Sequence, residues 1–376
     1  MNTYFDASKR EAIMEQMSKT RNWKSENVQN RFRVFQLATR NSLLATFLFA
    51  FTLHSCNFLK GKEEAAQEVA ATDSMDMETV GGITAAIKKD SLNPDLFVTR
   101  ANIFEANEDY GSAIKDMYKA MLLDSAFLPY YKYTAELMTK SGDPQRAIAF
   151  LERGATIDSA DAELYAMMGK YRFLMKDYDR ALLLYNQALT KDIFNPKVYF
   201  FKGITYKEMG DTARAINSFQ TAVEQDPNYY EAYMQLGVLM QKKKHKLAQK
   251  YLDNAIKVKP NSEEALYAKA YNLQEAKQYK LAAEVFRQIV SLNYKNDAAL
   301  YALGYCQMMQ DSVAEAYKMF GLAIKVNPTY AEAYYKKGVC AEQLGKKEEA
   351  KILFVNALNI NSEYKPAKDA LARLSN

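Results

Sequence analysis

From Pro94 onward, apolar side chains recur at the three- and four-residue steps of a helix, and short polar turns break the helical segments apart. The segments themselves repeat. Ala113, Ala147, Ala181 and Ala215 stand at one fixed interval. After a one-residue deletion near Lys242–Lys246 the series resumes at Ala248, Ala282, Ala316 and Ala350, at the same interval. A second small-residue series precedes it: Ala101, Ala135, Gly169, Gly203, Gly237, Ala270, Gly304 and Gly338. A third follows it: Ala120, Gly154, Ala188, Ala222, Ala255, Ala323 and Ala357, with Ile289 the exception. Between the first and third series every repeat carries a large residue: Met117, Leu151, Tyr185, Phe219, Leu252, Phe286, Phe320 and Phe354.

Two antiparallel helices approach closely only where small side chains face one another, and a bulky side chain then fills the gap against the next pair. The pattern therefore predicts two helices per repeat and leaves no place for strands. The units run 94–127, 128–161, 162–195, 196–229, 230–262, 263–296, 297–330 and 331–364. An aromatic opens the first helix of most of them: Phe97, Tyr131, Tyr165, Tyr199, Tyr233 and Tyr334. Pro227, Pro260 and Pro328 end units, since proline cannot continue a helix. Gly142, Gly210 and Gly345 fall between the two helices of their units, where a left-handed turn residue is wanted. Residues 76–93 form a capping half-repeat, with Ile83–Lys89 in phase with a second helix alone. Residues 365–376 form a capping helix whose outer face is polar at Lys368, Asp369 and Arg373. Such an array needs caps, because each unit buries its apolar face only against its neighbours.

The order aromatic, small, alanine, aromatic, alanine, proline, with a period of about 34 residues, resembles the tetratricopeptide repeat family across residues 94–364. The resemblance implies an all-α fold: a right-handed superhelical α-solenoid of eight repeats, whose first helices line a concave groove that takes a protein or peptide partner. Carried onto this chain, one groove column reads Val98, Lys132, Ala166, Phe200, Met234, Tyr267, Tyr301 and Tyr335. The column one turn later reads Asn102, Glu136, Lys170, Ile204, Val238, Tyr271, Tyr305 and Val339. The implied partner-binding residues are Phe200, Phe201, Tyr267, Tyr271, Tyr301, Tyr305 and Tyr335. Tyrosines four apart share a helix face, and tyrosine offers large contact area at little rotamer entropy. The alternative is that these rings pack between units. The basic and asparagine pairs by which some relatives clamp a carboxylate are absent: Lys132 is followed by Glu136, which would repel one.

Charge narrows the function further. The net charge is +5, but residues 1–55 hold eight of the 50 Lys/Arg and only four of the 45 Asp/Glu, which leaves the remainder at +1. That argues against a nucleic-acid footprint. The sequence contains no phosphate loop, dinucleotide fingerprint, nucleophile elbow or metal-ligand cluster. No enzyme, cofactor or small-molecule substrate is implied. The three cysteines, Cys56, Cys306 and Cys340, form neither a disulfide framework nor a zinc pattern. Cys306 and Cys340 occupy equivalent places in units whose helices stack about 10 Å apart, too far for a disulfide, and are read as buried free thiols. His245 lies in the run Lys242-Lys243-Lys244-His245-Lys246 and is read as solvated. The run offers charge to anionic lipid headgroups.

The N-terminus reads as an address. A basic stretch precedes the apolar run Leu43–Leu53, which is too short for the roughly 20 residues of a spanning helix. A basic flank, a short apolar core and a small residue describe a secretory leader over 1–55. Leu53-His54-Ser55-Cys56 resembles a bacterial lipobox, which implies lipidation of Cys56. The alternative is an uncleaved signal anchor. Asn57 in place of Asp favours the outer membrane by the enterobacterial pattern. Translation can begin at Met1, Met14 or Met17. Residues 56–75 read as a flexible tether; about 18 such residues reach roughly 25 Å. Lys62-Glu63-Glu64 resembles the surface signals of some Bacteroidetes lipoproteins, or is simply part of a solvated tether. The expectation is a non-catalytic interaction scaffold at the cell envelope, similar to tetratricopeptide lipoproteins that assist envelope machinery. The other expectation is a regulatory or adaptor subunit of a separate envelope enzyme, secretion or transport complex.

Overall fold

The computed structural model describes residues 78–375. The leader at 1–55, Cys56 and the tether at 56–75 therefore lie outside the described residues. Among the described residues every regular element is a helix. α1 (Val80–Lys89) stands alone. Eight pairs follow: α2 (Pro94–Ala106) with α3 (Tyr110–Leu123), α4 (Leu128–Lys140) with α5 (Pro144–Ile157), α6 (Ala162–Leu174) with α7 (Tyr178–Lys191), and α8 (Pro196–Glu208) with α9 (Thr212–Gln225). Then come α10 (Tyr230–Lys242) with α11 (Ala248–Val258), α12 (Glu263–Glu275) with α13 (Tyr279–Leu292), α14 (Asp297–Met308) with α15 (Val313–Val326), and α16 (Ala331–Gln343) with α17 (Lys347–Ile360). α18 (Lys365–Ser375) closes the array. Packing is densest within a pair and next densest between a second helix and the following first helix, which is the nearest-neighbour pattern of an α-solenoid.

The close approach within a pair explains the small residues. A Cβ built on Gly203 would sit 2.5 Å from the Phe219 ring, and one on Gly237 would sit 2.5 Å from Leu252. The large residue of each unit (Met117, Leu151, Tyr185, Phe219, Leu252, Phe286, Phe320, Phe354) is fully buried in this contact.

Two backbone devices recur along the array. Inside each unit, one residue between the helices takes a positive φ: Glu108, Gly142, Lys176, Gly210, Lys244, Lys277, Asp311 and Gly345. The N–H of the next residue then donates to the carbonyl five residues back, at 2.8–3.0 Å in all eight units. This closed turn holds five non-glycine residues left-handed against a cost of about 1–2 kcal/mol each. Between units, Asp124, Asp158, Asp192, Asp226, Asn293, Asn327 and Asn361 each accept from the N–H two residues on, at 2.9–3.2 Å. Unit five breaks that series with Lys259.

The deletion also falls in unit five, between Lys244 and Ala248. Ala248 keeps the buried place of Ala215, yet α11 begins on it, whereas α9 begins at Thr212, ahead of its alanine. The first turn of the helix is lost, leaving 11 residues where the other second helices have 14. In its place His245 Nδ1 accepts from the Leu247 N–H (3.2 Å) and the His245 carbonyl accepts from the Ala248 N–H (3.0 Å).

The ends are sealed differently. Arg100 on α2 makes a bidentate pair with the buried Asp116 on α3 (2.7 Å to each oxygen), and its Nη1 donates to Thr84 of α1 (2.9 Å). One guanidinium thus holds the half-unit to the first full unit. α18 buries Ala367 and Ala370 and exposes Lys368, Asp369 and Arg373.

Candidate functional site

The closest contacts that skip a helix join first helices: α6 to α8, α10 to α12 and α14 to α16. First helices that crowd one another take the inner side of a bent array. The two columns expected to line the groove lie on these helices.

In the first column the rings are engaged. Phe200, Tyr267, Tyr301 and Tyr335 each pack against the buried aromatic of their own second helix: Phe219 at 5.6 Å, Phe286 at 5.5 Å, Phe320 at 5.4 Å and Phe354 at 5.8 Å between centroids. Three of them also meet the tyrosine that ends their own unit, just ahead of the next helix pair: Phe200 with Tyr229 (5.1 Å), Tyr301 with Tyr330 (5.0 Å) and Tyr335 with Tyr364 (5.5 Å). Tyr267 has no such partner, because Asn296 stands in that place and donates instead to Glu263 (3.1 Å). Burial pushes the hydroxyls of Tyr267, Tyr301 and Tyr330 upward, and that of Tyr364 to about 12, so this cluster is neutral at physiological pH. Phe201 belongs to a different contact, stacked on Tyr185 of the preceding unit at 6.1 Å.

The second column is more open. Tyr271 is 47% exposed. Tyr305 is half-buried, with its ring 6.3 Å from Tyr279 and the Lys336 ammonium 5.5 Å from its centroid. Lys336 also lies 5.6 Å from the Tyr335 ring, and burial lowers its pKa. Lys336 thus bridges the two columns, a role the tyrosine spacing did not disclose. Beyond Tyr335, a groove of about 470 Å³ is lined by Lys365, Pro366, Asp369, Ala370 and Arg373.

Upstream the stripe is polar. Lys132 does not face Glu136 as a free groove lysine. It donates to Asp161 (2.7 Å), the cap ahead of the next unit, and to Glu163 (2.5 Å) in that unit's first turn. Burial pulls its pKa down, but the two carboxylates outweigh this and hold it above the usual value. Cys306 and Cys340 are buried free thiols, each pushed by burial up to about 11. No group of three or more metal-binding side chains occurs among the described residues, and none of their helices is long and apolar enough to cross a membrane.

Family models described as TPR repeat and tetratricopeptide repeat match residues 203–244, 267–320 and 331–364. No curated protein matches the chain. Among solved structures, a TPR repeat-containing protein from Cytophaga hutchinsonii is 19% identical, covering 66% of this chain and 97% of its own, at a TM-score of 0.48. A tetratricopeptide repeat protein from Parabacteroides merdae is 19% identical, with coverage of 66% and 99% and a TM-score of 0.43. YrrB, a TPR protein with an unusual peptide-binding site, is 18% identical, with coverage of 68% and 96% and a TM-score of 0.30. The matched segments are units in which the buried small-large contact and the left-handed turn recur in phase, and on those grounds these segments are tetratricopeptide repeats.

Proposed function

We propose that this chain is a non-catalytic scaffold, tethered to the cell envelope through a lipidated Cys56, that captures a polypeptide along the inner face of units six to eight. The supporting observation is Tyr271, a large ring left 47% exposed one turn from a packed aromatic row. Tyr305 and Lys336 extend the same surface with apolar area and one positive charge. A partner segment with apolar side chains and an acidic residue fits such a surface. The location rests on the basic leader, its short apolar core and the lipobox-like Leu53–Cys56. An outer-membrane lipoprotein is favoured over an uncleaved anchor.

The test is affinity purification of the full chain from its own membranes, comparing Tyr271→Ala with Tyr301→Ala. Truncating a buried interface aromatic costs about 2 kcal/mol or more, roughly thirtyfold in affinity. Tyr271→Ala should lose the partner at an unchanged melting temperature. Tyr301→Ala removes two ring contacts inside the array and should lower stability first. If Tyr271→Ala retains the partner in full, binding lies elsewhere. Intact mass of the native protein checks the anchor: a diacylglyceryl Cys56 supports it, and an N-terminus upstream of Cys56 refutes it.

A further inference from the structure

Unit five carries a charge anomaly that partner capture does not use. No carboxylate occurs between Glu231 and Asp253, and five lysines crowd one short stretch of that span: Lys242, Lys243, Lys244, Lys246 and Lys250. All five are exposed, as is His245 between them. In units one to four the same turn holds an aspartate at the start of the second helix (Asp109, Asp143, Asp177, Asp211). In unit five His245 takes that place, and the deletion removes the first helical turn behind it, so the lysines stand on a short irregular loop. Several other lysines of the array are paired: Lys132 with Asp161, Lys140 with Glu105, Lys259 with Glu231, Lys269 with Asp253. The loop lysines take part in none of these bridges. The next turn adds Lys277 and the exposed Lys280 on the same edge of the array.

We infer that the Lys242–Lys250 turn is a docking surface for an anionic membrane, held by lysine ammonium groups against lipid phosphates. Residue type selects this occupant. Interfaces with folded proteins are enriched in aromatics and arginine and depleted in lysine, and the basic residues of this loop are all lysine. A cluster of four to eight lysines with no shape of its own is the usual reader of anionic headgroups, at a distance set by the Debye length. The array as a whole is close to neutral, so the attraction is local and would orient it, turn edge toward the lipid. The inference rests on the envelope anchoring proposed above, since a tethered chain presents even a weak patch at high effective concentration.

The experiment uses the full chain mixed with vesicles of phosphatidylcholine alone, or of phosphatidylcholine and phosphatidylglycerol in equal parts. Amine acetylation read by mass spectrometry reports each lysine. On phosphatidylglycerol, labelling of Lys242–Lys250 should fall several-fold while Lys347 and Lys351 are unchanged. High salt should restore it. Lys243→Gln, Lys246→Gln and Lys250→Gln together spare the left-handed Lys244 and should abolish the protection, with retention on anionic vesicles down on the order of tenfold to a hundredfold. Equal labelling on both vesicles overturns the inference, as does a triple variant protected as well as the parent. The first of these results would be expected if the loop served an acidic protein. Failure to float with phosphatidylcholine counts against the anchor alone. Phosphatidylglycerol-dependent flotation and protection would then still support the patch, and their absence would overturn it.

Discussion

Units one to three and units six to eight share one repeat length and one turn geometry but close their junctions with different chemistry. In the early units the junctions are ionic. Arg100 holds Asp116 and Thr84, Lys140 pairs with Glu105, whose other oxygen accepts from Tyr133, and Lys132 spans to Asp161 and Glu163. In the late units rings join them on the inner side, Tyr301 on Tyr330 and Tyr335 on Tyr364, beside polar links such as Asn327 to Asp297 and Arg373 to Glu342. The second helices of units one and two also differ from those of units six to eight. Asp109 and Asp143 accept cap hydrogen bonds from Ser112 and Arg146, while Gln278, Ser312 and Lys346 make no side-chain cap. The small-large contact fixes the helix axes and leaves the junction free to vary. A junction saturated with ion pairs presents little apolar area to a partner, and one built of rings presents a great deal.

That contrast can be broken in three ways. The largest effect should come from Phe320→Ala, which empties a fully buried site in unit seven and costs about 3–5 kcal/mol. Hydrogen exchange should quicken in residues 297–330 and their neighbours and leave units one to three protected. Uniform acceleration would mean that the two regions are not energetically separate. Lys132→Ala strands two carboxylates and should cost about 1–2 kcal/mol. Its cost should shrink in high salt, whereas that of Phe320→Ala should not; equal salt responses would erase the ionic-aromatic distinction. The smallest is a transplant. Gln278→Asp places in unit six the acceptor that Asp143 supplies in unit two, and should raise stability by about 0.5–1 kcal/mol, with Asp143→Ala losing a similar amount. Thermal melts of the two single variants decide it.

The helix pairs were legible because small and large residues recur in strict phase, and only close packing demands that. The left-handed turn was legible only in part. Glycine marks it at Gly142, Gly210 and Gly345, but Glu108, Lys176, Lys244, Lys277 and Asp311 adopt it through the same closed backbone bond, which leaves no trace in residue type. The tyrosine columns were visible as a spacing, yet the spacing could not say which rings are occupied. The occupants, Tyr330 and Tyr364, belong to the junction with the following helix pair and lie most of a repeat further along the chain than the rings they cover. Lys132 misled for the same reason: its neighbour in sequence is Glu136, but its partners lie across the junction at Asp161 and Glu163. Local order reports what a helix does with itself, and the site is built from what adjacent units do to each other.

The residue missing after Lys244 also makes unit five a recognisable module. Duplication of any other whole unit would lengthen the array by one full repeat and add an ordinary turn. Duplication of unit five would copy the short turn and its lysines as one cassette. A crossover inside the turn, joining Lys244 directly to Gln278, would instead remove His245, Lys246 and Lys250, keep Lys242, Lys243 and Lys244, and restore a full-length second helix. The abbreviated helix is therefore inherited, or lost, together with Lys246 and Lys250.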